Sequence, residues 1–371
     1  MVHVILTSAR QAKCVMIPKT NQHDKAKRDN VERPEITSLG MRNDKNRLQP
    51  MVVVVTPVYN GDAYLRATME CVQNQTYANI VHVVLDNCST DRTSQIIEQF
   101  RNGHIKVITA RNAEVLPMYE NWNSALRLVP KEAVYVKILC ADDLMRRDCI
   151  SKFVAIAETD EKIETVFSHD VVYEKVRRAN LSRESAVFDG LAIARASMNE
   201  SINWLPYHHL FIRWHHEDSG RAMFEAMPIF FDYVAVFRRL CRGKCAYLHE
   251  ALVYTRCHKD SETSRQIEAI PLLNKFDIFT SHGRDCWDEA GYAKELAREK
   301  ERLARKIMQQ TLKGHFAVAR HFKKTLRERG IPVGPFDYLK SALRWPAYMR
   351  WKRSWRQLDG PEIDEAKFLA E

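Results

Sequence analysis

From residue 51 onward the apolar positions keep switching period. Residues 52–55 are four valines in a row, the unbroken β-branched run of a strand buried on both faces. Leu65, Met69 and Val72 follow at helical spacing and predict a helix over 62–73. The alternation then repeats. A strand is predicted at 80–85, a helix over 90–100 with Ile96, Ile97 and Phe100 on one side, and a strand at 105–108. A helix over 118–128 carries Met118, Trp122, Ala125 and Leu126 in register, and a strand follows at 133–139. Strand and helix in turn over nearly ninety residues predict an α/β fold, a Rossmann-like, mostly parallel sheet flanked by helices.

The flanks read differently. Residues 1–49 are polar, mixed in charge and without a sustained apolar period, so a disordered tail is expected there. A short strand near 2–6 has no evident partner, and Met41 and Met51 offer later starts. Residues 296–329 predict two helices broken near Gly314, anchored by Leu303, Ile307, Phe316, Val318 and Phe322. Past Gly334 and Pro335, Trp345, Tyr348, Trp351 and Trp355 recur at helical spacing, with Arg344, Arg350, Lys352, Arg353 and Arg356 between them. Pro346 suits the first turn of a helix starting there. The expected division is a tail over 1–49, an α/β domain over 50–264 and a helical basic region over 265–371.

Composition narrows the function classes. With 371 residues, 45% of them hydrophobic, the chain can bury a sizeable core. No stretch approaches the roughly 20 apolar residues that span a bilayer. Nine cysteines form no C-x-x-C pair, which argues against zinc ribbons and disulfide frameworks and for thiols kept reduced. A cytoplasmic protein is therefore expected, with peripheral attachment to the inner membrane face left open. The net charge of +10 is concentrated at 292–356, where 18 Lys/Arg face 5 Asp/Glu, and the rest of the chain is slightly acidic. Aromatics set among these basic residues suit contact with an anionic membrane surface, or docking on the catalytic domain with a solvated basic face. No RNA- or DNA-binding motif accompanies the charge, so no nucleic-acid partner is expected.

Open α/β sheets bind ligands beyond the carboxyl ends of their strands. The first strand is followed by Thr56, Pro57, Val58, Tyr59, Asn60 and Gly61, the second by Asp86 to Asp91, and the fourth by Ala141, Asp142 and Asp143. No glycine-rich phosphate loop is present, which disfavours dinucleotide dehydrogenases and P-loop enzymes. Asp142 and Asp143 offer hard oxygen ligands for Mg²⁺ or Mn²⁺. Adjacent acids also fit a plain cap on a helix beginning near Leu144. His208, His209, His215 and His216 form a histidine cluster whose spacing of seven puts pairs on one helical face, an arrangement that allows metal binding, but no H-E-x-x-H accompanies them and the wall of a pocket fits better.

Five motifs in order carry a family resemblance. They are VVVVTPVYNGDAYLRATMECVQNQTY at 52–77, VVLDNCSTDRT at 83–93, NWNSALR at 121–127, YVKILCADDLM at 135–145 and FDYVAVFRRLCRGKCAYLHEALVYTRCHKDSETS at 231–264. Together they resemble a family-2 glycosyltransferase of the GT-A fold. The resemblance implies transfer of a sugar from a nucleotide-sugar donor to a hydroxyl of a glycan or lipid-linked acceptor, with inversion. It implies that Thr56, Pro57 and Tyr59 wall the donor base and ribose, that Asp86 accepts a hydrogen bond from them, and that Asp91 is a second acid there. Tyr59 also fits a core aromatic and Asp91 a helix cap. Asp142 and Asp143 fall on the Asp-x-Asp region, which binds the donor diphosphate through a divalent metal, Mn²⁺ or Mg²⁺. Asp232 matches the general base, Arg256 a residue facing the pyrophosphate, and His258 a further metal ligand.

Two departures stand out. Cys140 occupies the place of the first acid, and Phe231 that of the Glu preceding the base. They lend weight to one rival reading, a catalytically degenerate scaffold. The other rival is a nucleotidyltransferase, which would carry a glycine-rich loop where this chain has TPVYNG.

Overall fold

The computed structural model describes residues 49–199, 201–202, 205–226, 231–258, 270–328, 330–355 and 360–370. The tail over 1–49, including the strand considered at 2–6, lies outside them except for Gln49. The chain opens with β1 (Met51–Val58), α1 (Leu65–Gln73), β2 (Ile80–Asp86), α2 (Thr93–Gln99), β3 (Lys106–Arg111), α3 (Met118–Leu126) and β4 (Ala133–Ile138). Each matches the element that hydrophobic period predicts at that place. Then come β5 (Leu144–Met145), α4 (Cys149–Ala157), β6 (Ile163–Val172), β7 (Lys175–Arg177), β8 (Val187–Asp189), α5 (Gly190–Met198), β9 (Phe211–Arg213), α6 (Phe231–Leu240) and β10 (Lys244–Thr255).

The strands form one sheet in the order β3-β2-β1-β4-β9-β6-β10-β5, with β7 beside β6 and β8 beside β10. β1 lies parallel to β2 and β4, β2 to β3, and β6 to β10, while β9 and β5 run antiparallel to their neighbours. This is the mixed, mostly parallel α/β sheet expected. Val52 to Val55 are fully buried because β1 is central and covered on both faces. Val53 and Val55 meet Trp122 of α3 and residues of α5 and α6, whereas Val52 and Val54 face Tyr135 and α4. Trp122 packs edge-on against Phe224 and Phe231, with centroids 5.2 and 5.1 Å away.

Two local expectations change. No helix starts at Leu144. Leu144 and Met145 are fully buried and pair as β5 with Tyr254 and Val253 of β10, and the helix waits until Cys149. The histidine cluster does not lie along one helix either, because β9 interrupts it between His209 and His215.

The C-terminal helices are α7 (Ile270–His282), α8 (Glu289–Leu312), α9 (Phe316–Glu328), α10 (Pro335–Trp355) and α11 (Glu365–Ala370). Phe276, Leu303, Ile307, Ala319, Phe322 and Leu326 give the helical region a small core of its own. Gly314 breaks α8 from α9 at φ +77°, a left-handed conformation that glycine adopts without steric cost. Pro346 lies inside α10 rather than at its start. Tyr348 turns inward, with Arg305 of α8 over its ring at 4.2 Å, and Trp345 lies beside it at 6.4 Å. The large apolar side chains exposed on α10 among the described residues are instead Phe336, Leu339 and Leu343. No described helix is long and apolar enough to cross a membrane.

Candidate active site

The loops after β1 and β2 are laced together. The Asn60 N–H donates to Ser89 Oγ at 2.9 Å, Gly61 N–H to Thr93 Oγ1 at 2.8 Å, and Asp62 N–H to Asp91 Oδ2 at 3.0 Å. Asn60 and Cys88 adopt positive φ, at 48° and 60°, as each strand turns out of the sheet. Gly61 admits no side chain, since a Cβ would stand 2.5 Å from Val58 Cγ2. Asp91 also accepts from the N–H of Thr93 at 3.0 Å, so it works as a tie at the start of α2.

The three residues expected to wall the base part company here. Thr56 is fully buried, with its hydroxyl 3.0 Å from His82 Nε2, and Pro57 is buried beside it in β1. Only Tyr59 is exposed, at 50%, which also removes the core-aromatic reading. Asp86 is buried at the end of β2. Its Oδ1 accepts from Ser89 N–H at 2.8 Å, and its Oδ2 from Ser94 Oγ at 2.6 Å and from Arg111 Nη1. Arg111, at the end of β3, escaped sequence reasoning, although its place at a strand end was a usable signal.

Beyond β4 the chain turns sharply, with Asp143 N–H donating to Cys140 O at 3.1 Å. Thr68 of α1 supports the turn, its hydroxyl 2.9 Å from the carbonyls of both Ala141 and Asp143. The end of β10 closes over it. The Arg256 N–H donates to Asp143 Oδ1 at 3.1 Å, and Arg256 Nη1 to the Asp142 carbonyl at 3.0 Å. His258 Nε2 lies 3.0 Å from Asp142 Oδ2. The imidazole of His258 leans on the Tyr64 ring, centroids 4.6 Å apart, and the Arg256 guanidinium stands 5.5 Å from the same ring. Asp142, Asp143, Arg256 and His258 are thus brought together, and of these Arg256 and His258, with Tyr64, also line a cleft of ≈ 340 Å³.

Behind Asp143 lies a buried polar cluster that sequence reasoning reached only through its histidines. His209 Nε2 is 3.7 Å from Asp143 Oδ2 and 3.8 Å from Asp170 Oδ1. Thr255 Oγ1 lies 3.0 Å from both oxygens of Asp170, 2.8 Å from His208 Nε2 and 3.1 Å from His209 Nε2. Lys137 is buried close by, its Nζ donating to Ile138 O at 2.9 Å. The signal available was Lys137 within the largely apolar β4 and Asp170 within the wholly buried β6.

Electrostatics tests whether a cation fits. Burial, followed by the charges of Asp142 and Asp170, pushes the Asp143 carboxyl well above its ordinary value. Burial does the same to Asp170. Carboxylates crowded in this way gain from a divalent cation, and Asp142, Asp143 and His258 supply hard oxygens and an imidazole for one. Cys140 Sγ lies within 4.8 Å of both acids. Its thiol is raised by burial and by the charges of Asp143, Asp142 and Asp232, which favour the protonated form.

Asp232 lies near enough to Cys140 for its charge to bear on that thiol. Asp232 sits in the first turn of α6, half-buried, and desolvation pushes its carboxyl up to about 6. Its Oδ1 accepts from the Tyr233 N–H at 2.8 Å, and no cation among the described residues pairs with it. It follows Phe231, whose ring is buried against Trp122 in the place expected of a Glu.

Comparison with known proteins agrees with this architecture. The chain is 29% identical over 108 residues to the proposed teichuronic acid biosynthesis glycosyltransferase TuaG of Bacillus subtilis, covering 28% of this chain and 40% of that protein. It is 29% identical over 106 residues to the minor teichoic acid biosynthesis protein GgaA of the same organism, covering 27% and 23%. These matches span two fifths or less of the relatives' own length. Among solved structures, the mannosyltransferase PcManGT of Pyrobaculum calidifontis, in complex with GDP-Man and Mn²⁺, shares the fold at a TM-score of 0.50 and 14% identity, covering 84% of this chain and 86% of that one. The model of glycosyl transferase family 2 matches residues 53–239, half of the chain, and the chain belongs to that family.

Proposed function

We propose that this chain transfers a glycosyl group from a nucleotide-sugar donor to an acceptor hydroxyl, with inversion and with Mn²⁺ or Mg²⁺ as cofactor. One observation carries the reading: Asp142 and Asp143 in the turn after β4 meet Arg256 and His258 beyond the end of β10. The exposed Tyr59 takes the base and ribose, and Asp86 holds the second loop and Arg111 beside them. Thr56 and Pro57 set the strand end from which that pocket opens.

Asp142, Asp143 and His258 would hold a divalent ion, which would supply positive charge beside the departing nucleoside diphosphate. Arg256 grips the phosphates alongside. Asp232 accepts the proton of the acceptor hydroxyl as that oxygen attacks the anomeric carbon, and a carboxyl raised to about 6 is a stronger base than an ordinary Asp yet still ionised at neutral pH. Attack from the side opposite the leaving group inverts the anomeric centre.

The acceptor is a glycan or a lipid-linked sugar in polysaccharide synthesis, a reading supported by the similarity to TuaG of teichuronic acid biosynthesis and GgaA of teichoic acid biosynthesis. The catalytic domain runs over 50–264 and the basic helical region from 265. The exposed Phe336, Leu339 and Leu343 of α10, with Lys340 and Arg344 beside them, suit an anionic membrane surface bearing such an acceptor. A panel of nucleotide-sugars tested for thermal stabilisation with Mn²⁺ checks the donor reading, since a ligand of the folded state raises the melting point. One nucleotide family should stabilise the protein, and a flat panel would refute the reading.

A further inference from the structure

The last residues of the chain fold back on the catalytic edge. Gly360 N–H donates to Val176 O at 2.7 Å, Val176 N–H to Pro361 O at 3.2 Å, and Ile363 N–H to Glu174 O at 2.8 Å, so this segment pairs with β7. A Cβ at Gly360 would stand 2.8 Å from Val176 Cβ, which explains a glycine at this close approach. Phe368 of α11 is fully buried against Tyr254, centroids 5.4 Å apart, in the core beneath the sheet. This strap delivers one acid to the candidate site. Glu365 accepts from Arg256 Nε at 2.8 Å and from Nη2 through its other oxygen, a bidentate pair linking residues 109 positions apart.

We propose that Glu365 is the positioning residue of Arg256, fixing its guanidinium so that the unclaimed edge grips the donor diphosphate. A guanidinium carries five N–H donors. Two go to Glu365 and one to the Asp142 carbonyl, which leaves one on Nη1 and one on Nη2. Two donors on neighbouring nitrogens match two phosphate oxygens in the paired geometry that arginine favours. Without Glu365 the side chain would be held by the Asp142 carbonyl and the Tyr64 ring alone. A diphosphate would then have to order the arginine as it binds, at a cost in affinity. The inference rests on the assignment of Arg256 to the donor phosphates.

The test uses the full chain, with Mn²⁺ alone and inorganic pyrophosphate plus Mn²⁺ as probes in calorimetry. Glu365→Ala and Glu365→Gln should each weaken pyrophosphate about tenfold, the scale of a lost charge-assisted pair, while Mn²⁺ alone binds as in the parent. Glu365→Asp should recover part of the loss. Glu365→Gln is nearly isosteric, and its melting curve separates a lost clamp from a lost fold. Parent-like pyrophosphate affinity in both Glu365 variants, with Arg256→Ala weakened, overturns the role of Glu365 and spares the phosphate assignment. Unchanged affinity in Arg256→Ala as well, or no pyrophosphate binding to the parent protein, overturns both. Tighter binding in Glu365→Ala would show a competitor rather than a positioner and ends the proposal. Equal weakening of Mn²⁺ alone would assign Glu365 to general support of the site and end it too.

Discussion

His258 Nε2 and Asp142 Oδ2 meet at 3.0 Å although 116 residues separate them in the chain. The contact joins the end of β10 to the turn after β4, and it places an imidazole on the more exposed of two adjacent carboxylates. If this pair and Asp143 hold a divalent ion, Asp142→Asn and His258→Ala should each weaken Mn²⁺-dependent nucleoside diphosphate binding. Asp143→Ala should abolish it. Calorimetry with and without a chelator reads the effect directly, and unchanged affinity in Asp143→Ala would remove the metal role from this turn.

The half-buried carboxyl of Asp232 has a kinetic consequence. Its proton-accepting form is the charged one, and desolvation raises its pKa to about 6. Turnover at saturating metal should therefore fall as pH drops through about 6, following a single ionisation, instead of holding down to the ordinary Asp range. Asp232→Asn should keep donor binding and lose roughly 10²–10⁴ in turnover, the span typical of a removed general base. A variant that retains full turnover would assign the proton transfer elsewhere.

Protonation of Asp232 also bears on stability, and the sign is opposite to that of a salt-bridged acid. Its folded pKa is raised, so the folded state takes up a proton at higher pH than the unfolded chain does. Its contribution therefore grows more favourable as pH falls from above 6 toward 4. Asp232→Asn should melt no lower than the parent at pH 8, and a large drop in melting temperature would show that the carboxylate has a stabilising partner.

Trp122 lies far from the chemistry by role but not by packing. Its indole touches Phe224 and Phe231, the residue directly before Asp232. Trp122→Ala should cost about 3–5 kcal/mol, as truncating a large buried aromatic does. Urea unfolding measures the loss, and a cost below about 1 kcal/mol would mean that the site collapses around the cavity.

The outward face of α10 gives a separable test of surface attachment. Phe336, Leu339 and Leu343 are 77, 56 and 74% exposed and recur at helical spacing. Replacing all three by Ser should reduce sedimentation with vesicles of anionic phospholipid while leaving donor binding in solution unchanged. Equal sedimentation of parent and variant would dismiss this face.

Much of the first half of the fold was legible because each element writes its own period. Four consecutive valines cannot face water on either side, and Leu65, Met69 and Val72 cannot share a face except on a helix. Asp142 and Asp143 were legible at a strand end, Arg256 and His258 only through the family resemblance, and the structure brings the four together. What the sequence hid is long-range. Leu144 begins a bridge to β10 because a buried partner strand waits there, and no local pattern records that partner. Trp345 and Tyr348 suited either a membrane face or docking on the catalytic domain, and it is Arg305 of α8 that covers the Tyr348 ring, while Phe336, Leu339 and Leu343 stay exposed. Thr56 looked like a pocket wall and is spent on His82 in the sheet interior. Glu365 carries no local signal at all, since its meaning comes from an arginine on another element.

The most direct measurement of the account is release of nucleoside diphosphate from a panel of nucleotide-sugars by the full chain, with Mn²⁺ or with a chelator. At least one donor should turn over with the metal, stop in the chelator and stop in Asp143→Ala. Turnover that is indifferent to the chelator, or survives loss of Asp143, would contradict the claim that these acids seat the cation behind the leaving group.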